Sequence, residues 1–587
     1  MTNNPFIPYL NRYTTASPDH EAAFDEFITQ APSPSGEPLR LETRTEVFLR
    51  DLFHRQRPPS VILTGNAGDG KTYLCRQIIE AFIGQPVAEW ADRLDWPIKR
   101  DGLTLRVVKD LSEVSEEKGA ELLWELAVDQ LEDHPRYVFL IAANEGRLRA
   151  VLQRERLEDL YGEVDRQLRE GPDANHNRLI VLNLNQATTS AYVPQALAWL
   201  TDPVHWQACN VCPAVHACPI RWNAEKLREE RVAGRVQRLY QILEHLGLHV
   251  TIRDMLIHLA YTLTGGLDCE TVQEKSRRLG WEVYRHVYYE NIWGQFADDV
   301  FRRKAVVIRH LDGLNVGQSS IFEIDDFIIN GHPSDGDVQV EHRRLFAPAL
   351  DLGSQHFEQD RTTYLRGGSA SPKQDEKHPL MDWLPHCRRK LFFEWRDADA
   401  ADRLVPFIFL PDYFRLVQGD RALLDRYHRD LILGLNRAFS GLYLTDANYL
   451  YVTSQYAHAV EQPVPLVRVR IPADGILLRP YVHPAEAFDC EMTTLQLEFS
   501  PPPRVSTDPM RWPVDLLRFE YLMRRARGST PNILADECEL AIRQLKDELL
   551  NRFATEEETS RIDFFAADRN RYTFRTLWVD EKGHIRV

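Results

Sequence analysis

The stretch Ser60-Val61-Ile62-Leu63-Thr64-Gly65-Asn66-Ala67-Gly68-Asp69-Gly70-Lys71-Thr72 runs an apolar, β-branched segment into a glycine-rich turn that ends on a cation and a hydroxyl. Its second part has the spacing G-x-x-x-x-G-K-T. Each residue type has a job in that pattern. Glycines reach backbone angles closed to other residues, so successive N–H groups can turn toward an anion. A helix starting at Lys71 aims the positive end of its dipole at the same point. Lys71 then serves the β- and γ-phosphates, and the Thr72 hydroxyl is a ligand for Mg²⁺. The pattern predicts a phosphate cradle over Gly65, Asn66, Ala67, Gly68, Asp69, Gly70, Lys71 and Thr72, with ATP and Mg²⁺ as ligands. It requires a buried strand at 60–64 and a helix over about 71–83, and both are predicted.

Outward from the loop, apolar strands are predicted at 103–108, 137–142 and 179–184, with helices over 41–55, 116–132 and about 147–168. Strands alternating with helices at this spacing indicate an α/β core, a parallel sheet covered on both faces. Hydrolysis would need an acid for the metal and a group to orient water. Asp110 ends the second strand and is the candidate Mg²⁺ carboxylate; the alternative is that Asp110 and Ser112 cap the helix that starts near Glu116. Glu113 and Glu145 are candidate water-orienting acids. Asn144 ends the next strand and is a candidate γ-phosphate sensor, or else a turn residue before Gly146. Arg253 opens a helix at Val250-Thr251-Ile252-Arg253 and is a candidate lid arginine for the γ-phosphate. Arg147, Arg149 and Arg154 are candidate fingers acting on a neighbouring subunit.

The chain has 587 residues, a formal net charge of -16, and 43% hydrophobic and 27% charged residues. That is the composition of a multidomain soluble protein. No apolar run is long enough to cross a membrane, and the N-terminus carries no signal-peptide pattern, so a cytoplasmic location is expected. The expected divisions are a helical segment at 1–57, the nucleotide core at 58–187 and a helical lid with a cysteine-rich insert at 188–268. A mixed, mainly helical region at 269–445 and a β-rich region at 446–587 ending in helices follow.

Cys209, Cys212 and Cys218 form C-x2-C-x5-C. Three thiolates so close suggest a structural Zn²⁺ or an iron–sulfur cluster, against unligated thiols in a loop. A fourth ligand is missing locally, and His205, His216 and Cys269 are candidates. Arg388-Arg389-Lys390-Leu391-Phe392-Phe393-Glu394-Trp395-Arg396 mixes cations with aromatics, as a single-strand binder or a solvated helix face would.

Taken in order, Gly65-Asn66-Ala67-Gly68-Asp69-Gly70-Lys71-Thr72, Lys109-Asp110-Leu111-Ser112-Glu113, Ile141-Ala142-Ala143-Asn144-Glu145-Gly146-Arg147-Leu148 and Cys218-Pro219-Ile220-Arg221-Trp222-Asn223-Ala224 form a recognisable set. It resembles the DptF-like ATPases of phosphorothioation-dependent DNA restriction and related antiphage defence operons, over about residues 15–270. The resemblance implies an AAA+-like P-loop NTPase that hydrolyses ATP beside nuclease or restriction subunits on DNA, with a homo-oligomer as one assembly. A slow, oligomerising nucleotide switch of the STAND type is the alternative expectation.

Overall fold

The computed structural model describes residues 3–14, 41–85, 95–100, 102–131, 137–173, 178–278, 280–331, 335–367, 378–454, 466–482, 493–500, 509–529, 535–553, 561–568, 571–579 and 584–586, with positions 33, 34, 36, 39, 87 and 489. Ser17-Pro18-Asp19-His20-Glu21, whose residues are a helix-start signal, and most of the polar, low-complexity run at 366–377 lie outside the described residues. The chain forms two compact units. One comprises Met1–Glu244, Leu248–Pro406 and His483–Met492; the other comprises His245–Gly247, Phe407–Val482 and Thr493–Val587.

The first unit is built on a five-stranded sheet: β1 (Ser60–Thr64), β2 (Asp95–Arg100), β3 (Leu103–Val108), β4 (Tyr137–Ala143) and β5 (Leu179–Asn183). Their order is β2-β3-β4-β1-β5. β1 is parallel to β4 and β5, and β3 is parallel to β4. β2 is antiparallel to β3 and forms the edge. It escapes the sequence pattern because Asp-Trp-Pro-Ile-Lys-Arg has no apolar run. Proline and lysine are what an edge strand uses to discourage further pairing. Arg106 of β3 ties Asp95 and Glu125 to this edge, each at 2.8 Å.

Both faces of the sheet are buried, as parallel sheets require. Val61, Leu63, Leu140 and Leu182 pack with residues of α1 (Arg44–Phe53) and α2 (Lys71–Ile83). Ile62, Phe139, Ile141 and Val181 pack on the other side with residues of α3 (Glu116–Leu131), α4 (Glu145–Arg154) and α5 (Glu158–Glu170). The single helix expected over 147–168 is two, divided at Arg156, which sits at φ 53°. α1 starts later than expected because Thr43 caps it, accepting from the Glu46 N–H. A second cap comes from far along the chain. The buried Asp489 carboxylate accepts from the N–H groups of Arg44 (2.8 Å) and Thr45 (2.9 Å). It also accepts from the Tyr192 hydroxyl, and its carbonyl accepts from Thr188 N–H and Oγ1, both at 2.8 Å. A carboxylate at a helix N-terminus satisfies orphan donors and the dipole together.

From Leu184 to Pro406 the described regular elements are helices and 3-10 turns, including the stretch near 270–360 expected to be mixed. Three of them matter below: α6 (Pro219–Leu227), α7 (Ile252–Thr264) and α8 (Cys269–Lys275). A fourth, α9 (Leu380–Glu394), carries the basic and aromatic run. Arg388, Arg389 and Lys390 are buried, at 4–6% exposure, which corrects both readings of that run as a surface. Arg388 forks onto Asp325 with two contacts of 2.7 Å, Arg389 meets Glu290 at 2.8 Å, and Lys390 pairs with Asp351. Buried charges persist only when paired and hydrogen-bonded.

The second unit is a helix and sheet assembly of its own. Strands β8 (Ile476–Val482), β9 (Thr493–Phe499) and β10 (Met510–Val514) form one antiparallel sheet in the order β10-β9-β8. Strands β6 (Tyr449–Thr453), β7 (Leu466–Pro472), β11 (Arg561–Asp568), β12 (Arg571–Val579) and β13 (Ile585–Arg586) form another, in the order β13-β12-β11-β7-β6. Helices α10 (Arg421–Ser440), α11 (Leu516–Ala526) and α12 (Ala535–Phe553) accompany them. Gly434 lets α10 approach the Leu522 carbonyl of α11 so closely that a Cβ there would collide with it. The last described elements are strands, where helices were expected. β11 and β12 carry too many charges for an apolar alternation to stand out.

Candidate functional site

Register places the predicted residues along one edge of the first unit's sheet. Thr64 is level with Ala143 of β4 and Asn183 of β5. Gly65, Asn144 and Leu184 therefore leave the sheet side by side at its carboxyl edge, where ligands bind in open α/β sheets. Val108 of β3 pairs with Ile141 of β4, and the Leu111 N–H reaches the Ala142 carbonyl at 2.8 Å, so Asp110 turns out at the same edge.

The glycine loop is held from several directions. Asp69 Oδ2 accepts from the Asn66 N–H at 2.6 Å, and Asn185 Oδ1 accepts from the same N–H at 2.9 Å. His249 Nε2 meets Asp69 Oδ1 at 2.8 Å. Lys71 Nζ donates to the Gly65 and Asn66 carbonyls at 2.8 and 2.7 Å, which pins the ammonium across the mouth of the turn. Gly70 caps α2 at φ 86°. Gly68, at φ 99°, lies against the start of α7, where the Arg253 N–H meets its carbonyl at 3.4 Å. Thr251 caps α7 by accepting from Asp254.

Electrostatics joins these groups. Burial pushes the Lys71 ammonium down, opposed by the nearby Asp69 and Asp110 carboxylates, and Arg253 pushes the same way as burial. Arg253 is itself pushed down by burial, against Asp254 and Asp69. His249 is pushed up by its hydrogen bond to Asp69. Two half-buried cations thus share one small space with acids on its rim. An anion entering there would relieve the strain on both.

The remaining predicted residues divide. Asn144 is at the edge, and its Oδ1 caps α4 by accepting from Gly146 (3.0 Å) and Arg147 (3.4 Å). Asp110 Oδ1 accepts from the Ser112 N–H at 2.8 Å and so closes its own turn at the sheet edge; the start of α3 is instead served by Ser115, whose Oγ accepts from the Lys118 N–H at 3.3 Å. Glu113 is exposed in that turn. Glu145 is engaged by Arg149 at 2.9 Å. The three candidate fingers are committed within the chain, Arg147 and Arg154 to Glu116 and Arg149 to Asp165. Sequence reasoning missed His249 and Asn185. Asn185 had a local signal, a polar residue just past an apolar strand. His249 had none.

No protein-family model, curated protein or solved structure matches the chain.

The cysteines converge elsewhere in the same unit. Cys209, Cys212, Cys218 and Cys269 line one cavity with Asn4, Ile7 and Arg221 among its other walls. His205 and His216 are not on that wall. His205 instead stacks on Phe6 with ring centres 4.1 Å apart. Burial pushes the Cys209 and Cys269 thiols up, and the Cys218 thiol up to about 12. Among the described residues no three His, Cys, Asp or Glu side chains draw close enough to grip one metal ion.

Proposed function

We propose that the first unit binds ATP with Mg²⁺ in the Gly65–Thr72 loop and hydrolyses it. The observation that carries this reading is the pair of half-buried cations, Lys71 and Arg253, set against the same glycine loop beside the strand-end acid Asp110. The strand order supports it too, since β4, which leads into Asn144, lies between the loop strand β1 and β3, which leads into Asp110. That is the order an AAA+-like core needs to set a sensor between cradle and acid.

The Thr72 hydroxyl and Asp110 carboxylate are oxygen donors of the kind Mg²⁺ takes. The metal would neutralise charge developing on the phosphates. Loop N–H groups and the first turn of α2 bind the phosphates. Lys71 exchanges two loop carbonyls for phosphate oxygens. Arg253, at the start of α7, takes the γ-phosphate and so reports nucleotide state to the helical region. Asn144 and Glu113 position water.

The ordered resemblance extends the proposal to an ATP-driven subunit of a bacterial antiphage or DNA-restriction complex, acting with nuclease or restriction partners. Calorimetric titration with Mg·ATP tests the core of it. Lys71→Ala should lose at least about tenfold in affinity, roughly 1.4 kcal/mol. Asp110→Asn should keep binding and lose turnover. Unchanged affinity in Lys71→Ala would sink the reading, and unchanged turnover in Asp110→Asn would move the acid's role elsewhere.

A further inference from the structure

The cysteine cavity belongs to no step of ATP hydrolysis, yet it is built with care. Cys209 and Cys212 come from one 3-10 segment and the residue after it, and Cys218 caps the start of α6. Cys269 opens α8, far along the chain. The N-terminal residues Asn4 and Ile7 close the ring. Two stretches of the chain far apart in sequence thus bring four cysteines to one cavity.

The donors around those sulfurs point the same way. Asn4 Nδ2 donates to Cys209 Sγ at 3.3 Å and to the His205 carbonyl at 2.9 Å. The Asn4 backbone N–H reaches the Cys269 sulfur. Backbone N–H groups of Ile220 and Arg221, in the first turn of α6, reach Cys218. The Arg221 side chain lines the same cavity. N–H groups that donate to clustered sulfurs are what a metal-bound thiolate needs around it, since a bound thiolate carries charge that such donors stabilise. Ile7, Val215 and Val272 supply an apolar wall.

The spacing of the sulfurs decides what such a site would hold. A single Zn²⁺ bound at about 2.3 Å pulls four sulfurs onto one point and leaves no space between them. Here no three ligands converge on a point among the described residues. The sulfurs surround a cavity of about 20 Å³ for the centre of a water molecule, more than the ~10–15 Å³ that one water needs. In a cuboidal cluster each thiolate holds a different iron, so the sulfurs stand apart around a filled centre.

We propose that Cys209, Cys212, Cys218 and Cys269 hold a [4Fe–4S] cluster, with Cys269 as the fourth ligand that the local motif lacks. Asn4 is a positioning residue that donates to the Cys209 sulfur. The full chain should be purified without oxygen, reconstituted with Fe²⁺ and sulfide, and desalted. About four irons and four labile sulfides per chain are expected, with a broad visible charge-transfer band that bleaches on reduction. Cys269→Ser should lose most of the iron, while Cys538→Ser, in the second unit, should keep it. One zinc per chain with no iron, or folded protein that stays metal-free after reconstitution, overturns the proposal. Two irons and two sulfides overturn the cuboidal assignment. If Cys269→Ser fails to fold, the stoichiometry and spectrum of the unaltered chain decide.

Discussion

Gly68 shows how much one residue carries. It sits at φ 99°, a region L side chains avoid, and a Cβ there would stand 2.9 Å from Thr251 Oγ1 and 3.1 Å from Arg253 Cβ. Gly70 has a similar φ of 86° but open space around it. The two glycines should therefore respond differently. Gly68→Ala meets both backbone strain and a clash with the start of α7, a cost on the order of 1–3 kcal/mol, and it should weaken Mg·ATP binding by displacing Arg253. Gly70→Ala meets strain alone and should lose less stability. Urea unfolding of both variants checks the ranking, and equal losses would show that α7 does not press on the loop. At this scale the loop was legible because its chemistry is local. Its long-range support was not: His249 and Asn185 stand 180 and 119 residues from the positions they hold. Nothing within a short window marks them.

α7 is the element that links the features of the first unit. It begins beside Gly68, and its C-cap, Gly265, lies just before Cys269. His258 fastens its middle. The ring accepts from the Tyr240 hydroxyl at Nδ1 (2.7 Å) and donates from Nε2 to the Ile292 carbonyl (2.8 Å). A carbonyl can only accept, which sets the neutral tautomer. Burial pushes this imidazole down to about 4, from an ordinary 6.5. As pH falls below 6.5 the unfolded chain takes the proton first, so stability is lost between there and about 4. The loss from this group alone is on the order of 3 kcal/mol. Denaturant titrations across that range should show it, and His258→Gln should show a shallower slope even though it starts less stable. An unchanged slope would place the pH response in other groups. Element type was legible wherever apolar periodicity was strong, as in β1, β3, β4 and α2. It failed for β2, an edge strand with charges and a proline. For α9 the helix was legible but its burial was not, because the basic run resembles a surface until Asp325, Glu290 and Asp351 are seen to neutralise it inside the core.

At the scale of the whole molecule, charge argues about partners. The chain carries -16 formally, and one of its richest basic runs is spent within the fold. Non-specific DNA affinity comes from cations that release counterions. The chain by itself should therefore bind random single- or double-stranded DNA more weakly than about 10 μM at physiological salt. Fluorescence anisotropy with labelled oligonucleotides tests this, and tight, salt-sensitive binding would locate a basic surface that the charge balance hides. Among the described residues no helix is long and apolar enough to cross a membrane. The turn to strands near residue 445 was legible from the change in periodicity, but the second unit takes up the chain already at Phe407, within a helical stretch that no change in pattern marks. The return of residues 483–492 to the first unit was not legible either, because a single buried aspartate has no pattern to announce it. That return has a consequence in time. A ribosome releases the glycine loop hundreds of residues before Asp489, so the carboxylate that caps α1 and holds Tyr192 arrives late in synthesis. A nascent or truncated chain ending before that point would present a complete phosphate motif on an unfinished frame.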